Sequence, residues 1–349
     1  MSFPVKTLPL ECVKAFAVLR HKGLSLPFLK ENGELLSIAL SCGLTLSSES
    51  LELYEELYEK IDKLCELYQP FFRYFLALAL DLEDLGMSGH KGEVLIDYVF
   101  KHDLYAYDTS DTRRLEIIHL LSRRGRQPEF KTDSYEALLK RVTGFLVQSD
   151  RFIKLNRPLF YEFTHLIFFG TDFGNIPLCN DENIFKSLNH IGMLAYLDND
   201  TDLLAEVCLC YRFLKRHAPK IWMKTCSENL QNIDIVYMVE DCMTAAHADD
   251  YHIYFVINWL LGISGKRVFQ YSYELGVPLF TQNKPKKSPL SKIFQVLHPI
   301  IMEDTPKRPM KAFEFLSVED NIQLQTALAS APNSENFFHE LTNGHISIA

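Results

Sequence analysis

The sequence predicts an all-α fold, a multi-helical α/α toroid-like or orthogonal bundle with an irregular C-terminal arm, and three observations carry that expectation. Apolar residues recur at helical spacing through most of the chain. Capping residues stand in front of those stripes, and runs that alternate with period two and close on hairpin turns are missing. The stripe Leu51, Tyr54, Leu57, Tyr58, Ile61 and Leu64 shows the first point: steps of three and four put these side chains on one face, with Glu and Lys on the other.

Helix starts follow in order. Ser47 to Ser50 precede that stripe, Thr109 to Thr112 precede "RRLEIIHLL", and Thr132 to Ser134 precede "YEALLKRVTGFL". Asn180 and Asp181 precede "ENIFKSLNHIGMLAYL", and Asp200 with Thr201 opens "DLLAEVCLCYRFLKRH". Each of these side-chain oxygens can accept one of the N–H groups that a helix start leaves without a partner. Gly23, Gly86, Gly125 and Gly265 mark stops, and Pro70, Pro158 and Pro219 mark other boundaries. Between them the pattern predicts roughly a dozen short helices with brief links. No strict repeat with a shared signature runs through the chain, which argues against a helical solenoid.

Past Gly265 the pattern weakens into the proline-bearing "SYELGVPLFTQNKPKKSPLSKIF" and "PIIMEDTPKRPMKAF". We expect a helical body over 1–265 and an irregular arm over 266–349, either an inert excursion or a substrate lid. The arm ends in a last helix near 318–330, and the whole forms one structural domain.

Composition excludes several function classes. With 47% hydrophobic and 23% charged residues among 349, the chain has the makings of a folded core. A net charge of −9 repels phosphate backbones, and the one dense basic stretch, Lys284, Lys286, Lys287 and Lys292, reads as a solvated loop without aromatics. Nucleic acid is therefore not an expected partner. The longest apolar runs, 74–80 and 254–263, are shorter than the roughly 20 residues that span a bilayer. Eight scattered cysteines without a C-x-x-C pair, and no secretory signature, point to reduced thiols in a cytoplasm.

The chemistry concentrates in "FYEFTHLIFFGTDFGN", residues 160–175. On a helix from Pro158, Tyr161, His165 and Phe168 share a face, Thr164 can return its hydroxyl to a preceding carbonyl, and Gly170 can end the helix left-handed. Asp172 then lies in the connection, able to cap or to orient an imidazole. The same parts also suit a buried helix with a satisfied end. Asp172-Phe173-Gly174 matches the magnesium-binding tripeptide of protein kinases, but the glycine-rich loop, strand lysine and H-R-D loop are missing and the kinase reading fails.

The pattern Tyr161-x-x-Thr164-His165-x-x-Phe168-x-x-Thr171-Asp172-Phe173-Gly174 resembles an uncharacterised family of all-helical bacterial proteins with a T-H-x-x-F-x-x-T-D-aromatic-G motif. "DLLAEVCLCY" at 202–211 and "DYHIYFVINWL" at 250–260 are similar to that family's later helices. Its members often accompany specialised-metabolite pathways, so the resemblance implies a functional role for His165 and Asp172.

Three chemistries fit these residues. A zinc site would use His165, Asp172, His252 and either Cys208 or Cys210, only one of which can face a common centre because residues two apart on a helix diverge by about 200°; Cys210 is the chosen ligand. A di-iron site would use the pairs Glu116/His119 and Glu162/His165 with further carboxylates from Glu83, Glu136 and Glu206. Metal-free acid–base catalysis would use His165, oriented by Asp172, with Glu206 or Tyr161 as partner and Phe168, Phe173 and Tyr251 as an apolar wall. The reading carried forward is a small-molecule or peptide-modifying enzyme, set against a non-catalytic helical scaffold or peptide-binding protein built on the abundant Tyr and Phe.

Overall fold

The computed structural model describes residues 6–21, 23–179, 181–238, 249–270, 276–282, 288–297 and 316–331. Among the described residues the protein is all-α apart from one small sheet. In chain order come α1 (Leu10–Lys14), α2 (Leu26–Ser41), α3 (Ser48–Glu52), α4 (Glu55–Leu67), α5 (Phe72–Asp84), α6 (Lys91–Lys101), α7 (Asp111–Ser122) and α8 (Tyr135–Leu146). They are followed by α9 (Arg157–Gly170), α10 (Glu182–Asp198), α11 (Thr201–Phe213), α12 (Lys220–Gln231), α13 (Tyr251–Ile263), α14 (Pro289–Leu297) and α15 (Val318–Ser330). Among the described residues no helix is long and apolar enough to cross a membrane.

The predicted starts carry real caps. Ser47 Oγ accepts from Ser50 N at 3.2 Å, Ser110 Oγ from Arg113 N at 3.4 Å and Ser134 Oγ from Ala137 N at 3.2 Å. Asp181 Oδ1 accepts from Asn183 N at 2.8 Å and Asp200 Oδ1 from Leu203 N at 3.3 Å. Pro158 lies in the first turn of α9, and Pro219 immediately precedes α12.

The chain divides into two compact units, Met1–Leu138 with Ile233–Gln282, and Leu139–Asn232 with Asn283–Ala349. The expected boundary at Gly265 falls inside the first unit. Residues 276–282 of the expected arm pair there as strand β2 (Val277–Gln282), antiparallel to β1 (Ile233–Met238), with Ile235 opposite Phe280. No hairpin joins these strands, because α13 intervenes. Their signal in the sequence is accordingly faint: β1 alternates apolar and polar only over Ile233-Asp234-Ile235, and β2 carries Pro278.

The other edge of β2 is covered by side chains, which closes a row of groups that would otherwise seek a partner strand. Arg20 Nη1 donates to Pro278 O at 2.6 Å, Asp249 Oδ1 accepts from Phe280 N at 3.1 Å and Asp250 Oδ2 accepts from Gln282 N at 3.0 Å. Arg20 is buried at the end of a π-helical turn, Ala15–Leu19. Its guanidinium forks onto Glu31 at 2.7 and 3.0 Å, pairs with Asp249, and lies over the rings of Phe16, Tyr251 and Phe280. Phe16 in turn packs against Phe255 and Phe280 in the core of this unit.

In the second unit α11 is the central helix: 11 of its 13 residues are buried, as a helix that is apolar on nearly every side requires. α10 buries 12 of 17 residues beside it, including His190, whose Nδ1 meets Ser149 O at 3.0 Å. Two pieces of the expected arm belong here. α15 occupies the expected 318–330 range, and its Gln323 Nε2 donates to Tyr196 O at 2.8 Å, tying it to α10. Lys292, expected in a solvated loop, stands on α14 and pairs with Asp320 of α15 at 2.6 Å. Lys284, Lys286 and Lys287 lie outside the described residues.

Candidate active site on helices α9 and α11

Helices α9 and α11 run in the same direction. Tyr161 meets Asp202, Thr164 meets Glu206 and Phe168 meets Phe213, so residue numbers rise together along both. α10 lies between them in the chain and returns it, which is how α9 and α11, next but one in sequence order, come to run in parallel.

His165 projects from this seam with its side chain 38% exposed, while the Glu206 side chain is 2% exposed. The imidazole Nδ1 lies 2.6 Å from Tyr161 O, 3.4 Å from Thr164 Oγ1 and 4.0 Å from Glu206 Oε2. A carbonyl oxygen can only accept, so Nδ1 carries the hydrogen and the neutral ring keeps its lone pair on Nε2. Phe168 and Phe169 flank the ring at 5.6 and 6.4 Å between centroids.

Glu206 is the single carboxylate among the buried residues of α11. Its Oε2 is 2.5 Å from Thr164 Oγ1, and that hydroxyl also lies 3.0 Å from Tyr161 O. Thr164 thus sits between a buried acid and the carbonyl that holds the imidazole. One turn earlier, Tyr161 Oη donates to Asp202 Oδ2 at 2.8 Å. Burial, and then the charges of Asp202, Asp200 and Glu206, push the Tyr161 phenol far above its ordinary range. It therefore serves as a hydrogen-bond donor to Asp202 and is not a group that gives up its proton near neutrality. Burial likewise raises the Asp200 carboxyl, against the pull of Arg157, whose Nη2 is 2.8 Å away.

The end of α9 differs from the expected one. Gly170 is the last helical residue and is not left-handed; the left-handed positions are Asp172 (φ 48°), Phe173 (φ 51°) and Gly174 (φ 86°). Thr171 explains the extra turn, because its hydroxyl donates to Ile167 O at 2.7 Å and accepts from Gly174 N at 3.0 Å. Gly174 is needed for space as well as for its φ, since a Cβ there would lie 3.1 Å from Phe213 Cα on α11. Asp172 stands in this turn and accepts from Asn175 Nδ2 at 3.2 Å.

Of the residues selected from the sequence, the structure brings His165, Tyr161 and Glu206 together on one seam. Cys210 is one turn beyond Glu206, fully buried, with Sγ 3.8 Å from Thr164 O and its thiol pushed well up by burial. His252 belongs to the first unit, where Nε2 is 4.0 Å from Glu34 Oε1. Glu83, Glu116 and Glu136 also lie in the first unit, Glu83 donated to by Tyr58 and Glu116 paired with Arg73. Glu162 of the second unit is exposed. No disulfide joins the described cysteines. Sequence reasoning passed over Asp202 and gave Thr164 only its carbonyl contact. The available signal was Asp202-x-x-x-Glu206, two acids one turn apart on an otherwise apolar helix.

Residues 7–343 match a family model described as a domain of unknown function, DUF6902, and the chain belongs to that family. No curated protein and no solved structure is detectably similar to it.

Proposed function

We propose that this DUF6902 chain is a cytoplasmic enzyme that modifies a small molecule or peptide, and that His165 is its general acid/base. The observation that carries the proposal is the pairing of a half-exposed imidazole, its Nδ1–H tied to Tyr161 O, with a buried carboxylate 4.0 Å away. Fixing one nitrogen as the donor turns the other into the base, and a nearby anion favours the imidazolium that forms when the base takes a proton. Phe168 and Phe169 offer apolar surface to a substrate beside the ring. The link to bacterial specialised metabolism rests on the sequence resemblance of the T-H-x-x-F-x-x-T-D-F-G stretch. The acid orienting His165 in this reading is Glu206 acting across Thr164, while Asp172 shapes the turn that ends α9.

The test is turnover of unlabelled candidates. Purified wild-type protein and His165→Asn are incubated with the small-molecule and peptide fraction of bacterial cultures, and consumption is followed by mass spectrometry. We expect at least one species consumed by the wild type and spared by His165→Asn. Identical profiles for the two would remove the catalytic reading in favour of the helical scaffold.

A further inference from the structure

We propose that Gln323 of α15 is a positioning residue for the seam between α9 and α11: by holding Asn199 it fixes the link from α10 to α11, and with it the register that sets Asp202 and Glu206 opposite Tyr161 and Thr164. This role rests on the acid–base reading of the seam and makes the last described helix a working part of that site. α10 ends at Asp198 and α11 begins at Thr201, so Asn199 and Asp200 are the whole link. Asn199 is left-handed, with φ 56° and ψ 29°, and the turn it makes lets Asp200 N donate to Ala195 O at 2.9 Å. Asp200 then opens α11, its Oδ1 accepting from Leu203 N at 3.3 Å. The same two residues therefore close one helix and start the next, and their backbone angles aim the whole of α11. Glu206 stands about 9 Å beyond Asp200 along the helix axis, so a swing of about 10° at the link displaces it by about 1.6 Å, more than its 2.5 Å hydrogen bond with Thr164 can absorb.

Asparagine tolerates the left-handed conformation when its short side chain finds a hydrogen-bond partner. Here the partner comes from 124 residues further along the chain. Gln323 Nε2 carries two protons and donates one to Asn199 Oδ1 at 2.9 Å and the other to Tyr196 O, in the last turn of α10, at 2.8 Å. One amide thus ties the side chain of the left-handed residue to the helix that it terminates. The flanking residues have other holds. Arg157, the first residue of α9, reaches Asp198 at 3.3 Å and Asp200 at 2.8 Å, but its side chain is 54% exposed and water screens such pairs. Ser288 Oγ donates to Asp198 Oδ1 at 2.9 Å while accepting from Ser291 N at 3.0 Å at the start of α14. α15 does not depend on the Gln323 amide for its own docking, since Leu324 and Ala327 are buried and Asp320 pairs with Lys292 at 2.6 Å. The amide therefore acts on the link, and the contacts of Asp202 with Tyr161 and of Glu206 with Thr164 follow within two turns. All of these groups belong to the second unit.

The experiment is methyl NMR of the full chain labelled at threonine and alanine, in wild type, Gln323→Met, Asn199→Gly, the double variant and Gln325→Met. Thr164 reports the seam, Thr201 the start of α11 and Ala327 the docking of α15; the Thr164 signal is identified by its loss in Thr164→Ser. Gln323→Met keeps the length of the side chain and removes both donors, whereas Asn199→Gly keeps the left-handed turn free of strain and removes the acceptor. In both variants the Thr201 and Thr164 methyls should shift, Ala327 should stay in place, and first-turn amides of α11 should exchange about tenfold faster. The double variant should add nothing to either single one. Gln325→Met, on the exposed face of α15, should match the wild type. A merely structural contact would lower the melting temperature without moving the Thr164 signal of the folded protein. Thr164 at its wild-type position in either variant overturns the proposal, and so does a double variant whose shift is the sum of the two. Where Ala327 moves in Gln323→Met, Asn199→Gly, which leaves α15 untouched, decides by the same Thr164 signal. Failure of the acid–base reading is read separately, from the His165→Asn turnover comparison, which does not enter these spectra.

Discussion

Replacing Gly174 with Ala tests whether the turn after α9 sets the distance between α9 and α11. Two costs arise from the structure. The position has φ +86°, where an L side chain costs about 1 kcal/mol or somewhat more. The new Cβ also meets Phe213 Cα at 3.1 Å, a backbone atom of a buried helix that can give way only by moving α11, and overpacking of that kind costs about 1–3 kcal/mol. The sum is about 2–4 kcal/mol. Native-state hydrogen exchange reports it locally: amides of α9 and α11 that exchange through opening of this seam should exchange about 30- to 900-fold faster. Gly125→Ala is the control, since φ is +70° there but nothing lies within 4 Å of the added Cβ, so its own helix α7 should lose only about 1 kcal/mol. Gly174→Ala exchanging no faster than this control would refute the claim that the turn and α11 are locked together by contact.

Two further outcomes follow from the geometry. Glu31→Ala removes the fork from the buried Arg20 guanidinium and should destabilise the first unit by about 3 kcal/mol in urea melts, with Asp249 as the remaining anion. Burial alone would raise the Glu31 carboxyl, but hydrogen bonds from His21 and Arg20 outweigh it and hold it below the ordinary carboxylate range. A depressed carboxyl contributes stability above its unfolded-state pKa, so wild-type stability from this group should fall as pH drops below about 4.5, and Glu31→Ala should flatten that fall. Elemental analysis of protein purified without chelator, compared between wild type and His165→Ala, separates the base from the ligand: one zinc per chain lost in the variant would make His165 a ligand and remove its role as base.

The site was partly legible because its main residues share one helix face. Tyr161, Thr164 and His165 are neighbours by helical spacing, and the spacing follows from the periodicity of α9 itself. Glu206 could be named only as one acid among several, since nothing local says which carboxylate a folded chain will set beside an imidazole. Asp172 illustrates the difference: adjacency in sequence to the motif placed it near His165, while its position in the left-handed turn after Gly170, bonded to Asn175, follows from the Thr171 hydroxyl that ties this turn together.

Local interactions determined the helices, their caps at Ser47, Ser110, Ser134, Asp181 and Asp200, and the last helix at 318–330, because a cap or an amphipathic stripe is satisfied within a few residues of where it is written. Tertiary structure alone decided the pairing of Ile233–Met238 with Val277–Gln282, the move of Lys292 from solvent to Asp320, and the union of Thr164 with Glu206. Each of these joins groups tens of residues apart, and such contacts depend on which faces are buried against each other, a property that no single stretch of the chain contains.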